Sequence, residues 1–384
     1  MPEPSSTSDV VVIGGGVIGL AVAWRASQRG LGVVVLECAE PGAATSAVGA
    51  GMLAPISEAV LSEQALLRLG LASARAYPEF VAALEDATGL DAGYLACGTL
   101  LAARDADEAE ALERELAMRG ALGLEVHRLR ASAARRLEPA LAPALRLALD
   151  IPGDHAIDPR KLTRALVQAV RRAGGEVRAQ APVAELRVSH DRVTGVTLAG
   201  GQTLAAGAVV VAAGPWSAQI GGIPEEARVP LHPVKGQIMR MHDPGGPGLL
   251  TRVLRMRTGY VVPRGDGRYV LGATMEERGF DDSVTAGAVF ELLRDASELL
   301  PGIWELVIDE LSAGFRPATP DNAPAIGAGS LPGLHWATGH YRHGILLAPI
   351  TAELLAGELA GGAPPLDPEL ARAFDPTRFA AVAA

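Results

Sequence analysis

Gly14, Gly15, Gly16 and Gly19, with Glu37 placed 23 residues after the first of them, are the residues whose types and spacing most directly imply chemistry. They follow the apolar run Val10-Val11-Val12-Ile13. Gly14 lets the chain turn off a strand, Gly16 lacks the Cβ that would hold a pyrophosphate away from the backbone, and Gly19 lets the next helix pack against the sheet. The start of that helix offers unpaired N–H groups and the positive end of its dipole to phosphates. A carboxylate about 20 residues further on accepts from ribose hydroxyls, and an acid there suits the unphosphorylated ribose of FAD or NAD better than that of NADP.

Positioning these groups takes a strand, a helix and a second, parallel strand. Leu20 to Ala26 continue a mostly apolar helix, Gly30 is placed to stop it, and Val33-Val34-Val35-Leu36 is the second strand, ending at Glu37. A small-residue stretch from Pro41 to Met52 follows, where backbone can approach a ligand. Apolar spacing predicts helices over 63–84, 105–120, 159–173, 286–300 and 344–359, the third opened by Asp158 as N-cap before Pro159 and stopped at Gly174-Gly175. Alternation predicts strands over 183–188, 193–198, 208–211, 229–241, 252–263, 269–274 and 334–337, with 314–327 as loop and strand. The class is therefore α/β plus α+β, in two discontinuous domains: 1–80, 150–225 and 328–384 for the dinucleotide, 81–149 and 226–327 for substrate.

The 384 residues suit two domains and, at 49% hydrophobic, can bury a large core. A net charge of −10 argues against nucleic acid or an anionic membrane surface as partner and leaves a small molecule. Cys38 and Cys97 are too few for a disulfide framework and fit a reducing compartment, so a cytoplasmic protein is expected. Met1 to Ser8 lacks the basic and apolar regions of a signal peptide and reads as a frayed tail, and no apolar run reaches membrane-span length. Only Lys161 and Lys235 among 34 basic residues are lysines, so arginine count carries no functional signal.

Beyond the amino-terminal block, Ala213-Gly214-Pro215-Trp216-Ser217, Tyr260-Val261-Val262-Pro263-Arg264, Gly272-Ala273-Thr274-Met275, Gly314 to Asp321 and Gly339-His340-Tyr341-Arg342-His343-Gly344-Ile345-Leu346 extend a pattern over nearly the whole chain. It resembles the FAD-dependent D-amino-acid oxidase superfamily, in the branch of the glycine oxidases of thiamine biosynthesis. The resemblance implies a glutathione-reductase-like FAD-binding Rossmann domain with a second, antiparallel-sheet substrate domain covering the flavin. It implies FAD contacts at Val17 and Ile18, Glu37 and Cys38, Thr45 and Ser46, Ala50, Gly51 and Met52, Val183, Gly214 and Trp216, and His340 to Leu346 at the ring. Substrate is then expected to meet Tyr260, Arg316 and Arg342, with Met275 lining its cavity. Some relatives attach flavin through a C-terminal cysteine, but none follows Cys97, so FAD is expected to be noncovalent. Thr258 stands where some glycine oxidases carry histidine, which loosens the substrate preference. The resemblance also allows a homo-oligomer.

A small amino acid presents a carboxylate, an amine and a Cα–H. An arginine fork suits the carboxylate because it donates two parallel charge-assisted bonds, and Tyr260 could add an O–H donor. Hydride transfer from Cα to the flavin needs no catalytic base once the amine is neutral, giving an imine that hydrolyses to oxo acid and ammonia, while oxygen takes the electrons to form hydrogen peroxide. A helix starting near Gly344 would stabilise negative charge on reduced flavin. His340 and His343 could pair on a metal, but no third ligand stands out, and no metal is expected. Cys97 reads as inert core and Cys38 as a neighbour of adenosine. Alternatives are a D-amino-acid or sarcosine dehydrogenase passing electrons to a carrier, and a FAD-binding regulatory protein without turnover.

Overall fold

The computed structural model describes residues 8–362 and 366–382; the segment Met1–Thr7, most of the expected tail, lies outside the described residues. Three of the first elements form one unit: strand β1 (Ser8–Ile13), helix α1 (Val17–Gln28) and strand β2 (Val33–Leu36). β1 pairs parallel with β2 on one side and with the strand Thr203–Val211 on the other, in the register Val10 to Val33 and Val10 to Ala208. Glu176–Arg178 and Leu334–Thr338 extend the parallel core outward, and the antiparallel strands Val183–Ser189, Arg192–Leu198 and Ala325–Ala328 complete eight.

A sheet buried on both faces needs apolar side chains on both, and Val10 to Ile13 of β1 supply them. Val10 and Val12 pack into a helical layer of α1, Gln64–Thr88, Pro159–Arg172 and Gly344–Leu359, while Val11 and Ile13 pack with Val193, Val209 and Trp336 on the other face. Asp158 caps the helix Pro159–Arg172 by accepting from Arg160 N at 2.9 Å, a cap worth about 1 kcal/mol.

The second sheet also has eight strands, in the order Val307–Ala318, His232–His242, Arg268–Gly272, Tyr260–Pro263, Val253–Arg255, Thr99–Ala103, Leu147–Ile151 and His127–Arg130. All its pairs are antiparallel except Val253–Arg255 with Thr99–Ala103. Helices Ala106–Ala121 and Ala286–Leu299 bury apolar faces against it.

Several expectations need correction. The helix expected to end at Leu84 runs on to Thr88 and stops where Gly89 turns left-handed at φ +68. The stretch 252–263 is two strands, because Met256 N bonds Gly259 O and folds the chain back. The expected loop from Gly314 is the end of a twelve-residue edge strand, Val307–Ala318. The sequence patterns do not predict the strands Thr99–Ala103, His127–Arg130 and Leu147–Ile151; Thr99 and Ile151 are their only β-branched residues, and cross-strand packing decides their state.

Candidate active site

A cavity of about 710 Å³ runs between the two large sheets. One wall is formed by the residues at the carboxyl ends of four parallel strands, Ile13, Leu36, Ala212 and Ala337 among them; the other comes from the second sheet through Gly236, Ile238, Tyr260 and Gly314 to Pro317. Crevices outside the carboxyl ends of parallel strands are where such sheets bind ligands.

At one end the backbone builds a cradle. Gly14 adopts φ +106, and a Cβ there would lie 2.5 Å from the Ala212 carbonyl oxygen. A Cβ on Gly19 would lie 2.0 Å from the Gly14 carbonyl oxygen, so this glycine sets the distance between α1 and the turn. Gly19 does not itself line the cavity, which corrects its place among the cofactor contacts. Gly16 is the N-cap of α1, whose first turn carries no acid and no side-chain cap from that residue, leaving the positive helix end facing the cavity. Val17 N donates to Ser46 Oγ at 3.0 Å.

Glu37 is buried, its Oε2 accepting from Gly15 N at 2.7 Å and its Oε1 from Ala39 N at 3.0 Å and Cys38 Sγ at 3.2 Å. Three donors thus fix the carboxylate at the cavity edge, beside Val183. Burial and Glu37 push the Cys38 thiol up, so it is not a nucleophile at rest. Burial likewise pushes the Cys97 thiol up to about 11.

The loop through Thr45, Ser46, Ala50, Gly51 and Met52 forms the floor. Thr45 Oγ1 donates to the Phe315 carbonyl at 2.9 Å, and Arg264 donates to Ala50 O at 2.8 Å and Ile157 O at 2.9 Å. Arg240 holds the Ala47 carbonyl. The second sheet thereby grips the loop through backbone oxygens, a role that no spacing announces. Gly214 and Trp216 line the opposite wall, Thr338 Oγ1 donating to Gly214 O at 3.1 Å and Trp216 stacking on Phe280 with centroids 5.7 Å apart.

At the other end the walls are side chains. His340, Tyr341, Arg342, His343, Gly344 and Ile345 enter at the start of the helix Gly344–Leu359, whose first turn has no acid and no side-chain cap. His340 is buried with Nε2 3.0 Å from Thr351 Oγ1, and burial pushes its pKa down to about 3, so the ring is neutral. Burial also holds His343 below the usual histidine range. Among the described residues no group of three or more His, Cys, Asp or Glu is placed to hold a metal ion. Leu346 turns away into the core, 2% exposed, which corrects its assignment to the ring.

Arg316 and Arg342 reach the same chamber as Tyr260. Arg316 Nη1 donates to Lys235 O at 3.3 Å and Thr274 O at 3.2 Å, and the guanidinium lies across Gly236, where a Cβ would come within 2.6 Å of Nη1 and Nη2. The Arg342 guanidinium carbon sits 5.2 Å from the Tyr341 ring centroid, and its Nε is buried without a hydrogen-bond partner. Burial pushes the Tyr260 phenol up, with Arg316 acting against it, so it is a neutral donor. Met275 is corrected: 59% exposed, it is not part of the cavity wall and touches the rim through its Sδ, 3.3 Å from Tyr341 Oη.

Glu58 was missed. It lines the chamber, and although burial pushes its pKa up, Arg255, His343, Arg342 and Arg316 pull it below the ordinary carboxylate value. It lies 197 residues or more from Arg255, Arg316, Arg342 and His343, at no motif spacing.

The donor set fits a flavin dinucleotide: a glycine cradle at a positive helix end, a fixed carboxylate for a diol, a floor of small residues, and a wide chamber at a second helix start. Residues 9–358 match the family described as FAD dependent oxidoreductase. The chain is 36% identical to a glycine oxidase of Geobacillus kaustophilus, over 91% of this chain and 92% of that protein. It is 37% identical to the bifunctional protein ThiO/ThiG of Nostoc over 91% of this chain but 52% of that protein, so it spans about half the length of that relative. A solved glycine oxidase from Geobacillus kaustophilus superposes with a TM-score of 0.89 at 33% identity, covering 97% of this chain and 99% of that one.

Proposed function

The chain belongs to the FAD-dependent oxidoreductase family, and from that premise we propose that it oxidises glycine and other small amines, including sarcosine and short D-amino acids, with oxygen as electron acceptor. One observation supports the reading: Arg316, Arg342 and Tyr260 line the same cavity as the glycine cradle, with Arg316 near enough to Tyr260 to act on its phenol. A ligand anchored there by its carboxylate has its α-carbon directed along the cavity toward the cofactor's place.

Bound FAD supplies a two-electron acceptor that oxygen can reoxidise. The residues do the rest. Gly14, Gly16, Val17, Ile18, Glu37, Thr45, Ser46 and the 50–52 loop would hold the dinucleotide, noncovalently, and the helix starting at Gly344 offers a positive end to the flavin. Arg316 is pre-aimed, because two carbonyls fix Nη1 and the bare Gly236 backbone gives the fork its resting surface. Arg342, with its unpaired Nε, supplies a second cation for the carboxylate. Tyr260, kept protonated, adds a neutral donor. Ile238 and Ala273 add apolar wall to the cavity. The likeness to glycine oxidases and to ThiO/ThiG supports glycine as substrate and a place in thiamine synthesis, and the two-sheet division supports the FAD and substrate domains of the sequence reading.

The test is anaerobic mixing of the FAD-loaded protein with glycine, sarcosine, D-alanine, D-proline and L-amino acids. Bleaching of the flavin band by the first four, with peroxide formed once air is admitted, is expected. Bleaching by L-amino acids alone would overturn the substrate assignment; bleaching without peroxide would favour a dehydrogenase.

A further inference from the structure

Two carboxylates line the cavity: Glu37 at the nucleotide end and Glu58 in the chamber. Glu58 Oε2 lies 3.6 Å from His343 Nδ1, and Oε1 lies 3.8 Å from Arg255 Nη2. Both Glu58 and His343 also line a second cavity, of about 10 Å³, on the far side of the pair. That volume is near the lower bound for one water. Its walls include Glu63 and Val60, and Val60 is 38% exposed, so the small cavity lies just beneath the surface. The two side chains are a partition between chamber and outside.

We infer that Glu58 and His343 form the proton exit for the substrate amine, Glu58 receiving the ammonium end and His343 passing its surplus proton to the water-sized cavity behind. The inference rests on the amine-oxidation reading, which requires a neutral amine, whereas a free amino acid arrives as an ammonium. In the first transfer an ammonium N–H bond breaks, the electron pair stays on nitrogen, and the proton joins a Glu58 carboxylate oxygen. In the second it moves to His343 Nδ1, restoring the carboxylate. In the third it passes from imidazolium to water. Ammonium and water become amine and hydronium, with no redox change.

The charges around the pair suit this. Arg255, His343, Arg342 and Arg316 face Glu58 and keep it ionised despite burial, while Tyr260 and Asp154 also lie within its field. His343 is neutral at rest through burial; Glu58 and Glu63 favour its protonation, and Arg342, Arg255 and the neighbouring His340 oppose it. An ionised Glu58 also repels a monocarboxylate that has no amine to offer, so the pair selects amino acids over simple acids.

The experiment mixes FAD-loaded wild type, Glu58→Gln, Glu58→Asp and His343→Gln anaerobically with glycine in weak buffer containing a pH-indicator dye. Glycolate affinity is measured on the same samples by perturbation of the flavin spectrum. Glu58→Gln and His343→Gln should slow flavin bleaching at saturating glycine by about 100-fold, the low end of general-base effects, with proton release slowed in step. In Glu58→Gln the acid limb of the rate–pH profile should move to lower pH, because a group that favours protonated His343 is gone. Glycolate should bind Glu58→Gln more tightly than wild type, and Glu58→Asp should recover part of the rate. Wild-type rates and profiles in both neutral variants, or a slowed rate with unchanged profile and glycolate affinity, would overturn the proton exit. If Glu58→Gln takes up little FAD, His343→Gln carries the comparison of bleaching and proton release. If wild type itself is not bleached by any amine, the amine-oxidation reading fails first.

Discussion

The two ends of the cavity are made of different material. The nucleotide end is backbone: glycines whose missing Cβ atoms would collide with carbonyl oxygens at 2.0 to 2.5 Å, and N–H groups at a helix start. The chamber is side chains, Glu58, Tyr260, Arg316, Arg342 and His343, delivered from segments far apart in the chain. An atom added to the first end has nowhere to go, since backbone must move. An atom removed from the second leaves the scaffold standing and takes away one interaction.

The largest effect therefore belongs to the cradle. Gly19→Val should abolish retention of FAD through gel filtration, because its Cβ meets the Gly14 carbonyl oxygen at 2.0 Å with no side chain to yield; a variant that keeps its flavin would erase the contrast. Next comes the chamber. Arg316→Ala should keep full FAD content yet lower kcat/KM for glycine by about 10³-fold, since a buried charge-assisted pair is lost, and Arg342→Ala should follow with a smaller loss. Loss of FAD from Arg316→Ala would show that the two ends are not separable.

Tyr260→Phe removes one neutral donor and should cost roughly 3- to 10-fold in kcat/KM, as expected for about 1 kcal/mol. The smallest change is one of stability with pH. His340 titrates at about 3 in the folded chain against about 6.5 unfolded, so the unfolded state binds the extra proton between these values. Stability from this group is present above about 6.5 and is lost as pH falls toward about 3. His340→Gln, which can still reach Thr351, should flatten the fall of urea midpoint over that window. Comparing the two proteins isolates His340 from Asp154, whose carboxyl is raised to about 6 by burial and acts in the opposite direction between about 4 and 6.

The same contrast explains what could be read before the fold was known. Gly14, Gly16, Gly19 and Glu37 act through local turns with a fixed spacing, so β1, α1, β2 and the cradle follow from the residues themselves. Arg316, Arg342 and Tyr260 were reached only through the resemblance, because no local rule links strand Val307–Ala318 to strand Tyr260–Pro263; they meet through the pairing of intervening strands. Glu58 carried neither signal: one acid after an apolar loop looks like surface until Arg255, Arg342 and His343 are folded around it. Met275 shows the reverse error, a residue in a matching block whose side chain points to solvent. Arg240 and Arg264 were hidden for a third reason, since they bind carbonyl oxygens, which any residue can offer.

The central claim is that one carboxylate-binding chamber faces one dinucleotide cradle across a shared cavity. A crystal structure of the FAD-loaded protein soaked with glycolate tests it most directly. The account predicts the flavin ring beside His340 to Gly344 and the glycolate carboxylate within hydrogen-bond distance of Arg316, with Arg342 or Tyr260 as further donor. Glycolate bound away from both arginines, or a flavin whose ring lies elsewhere than the start of the helix Gly344–Leu359, would contradict it.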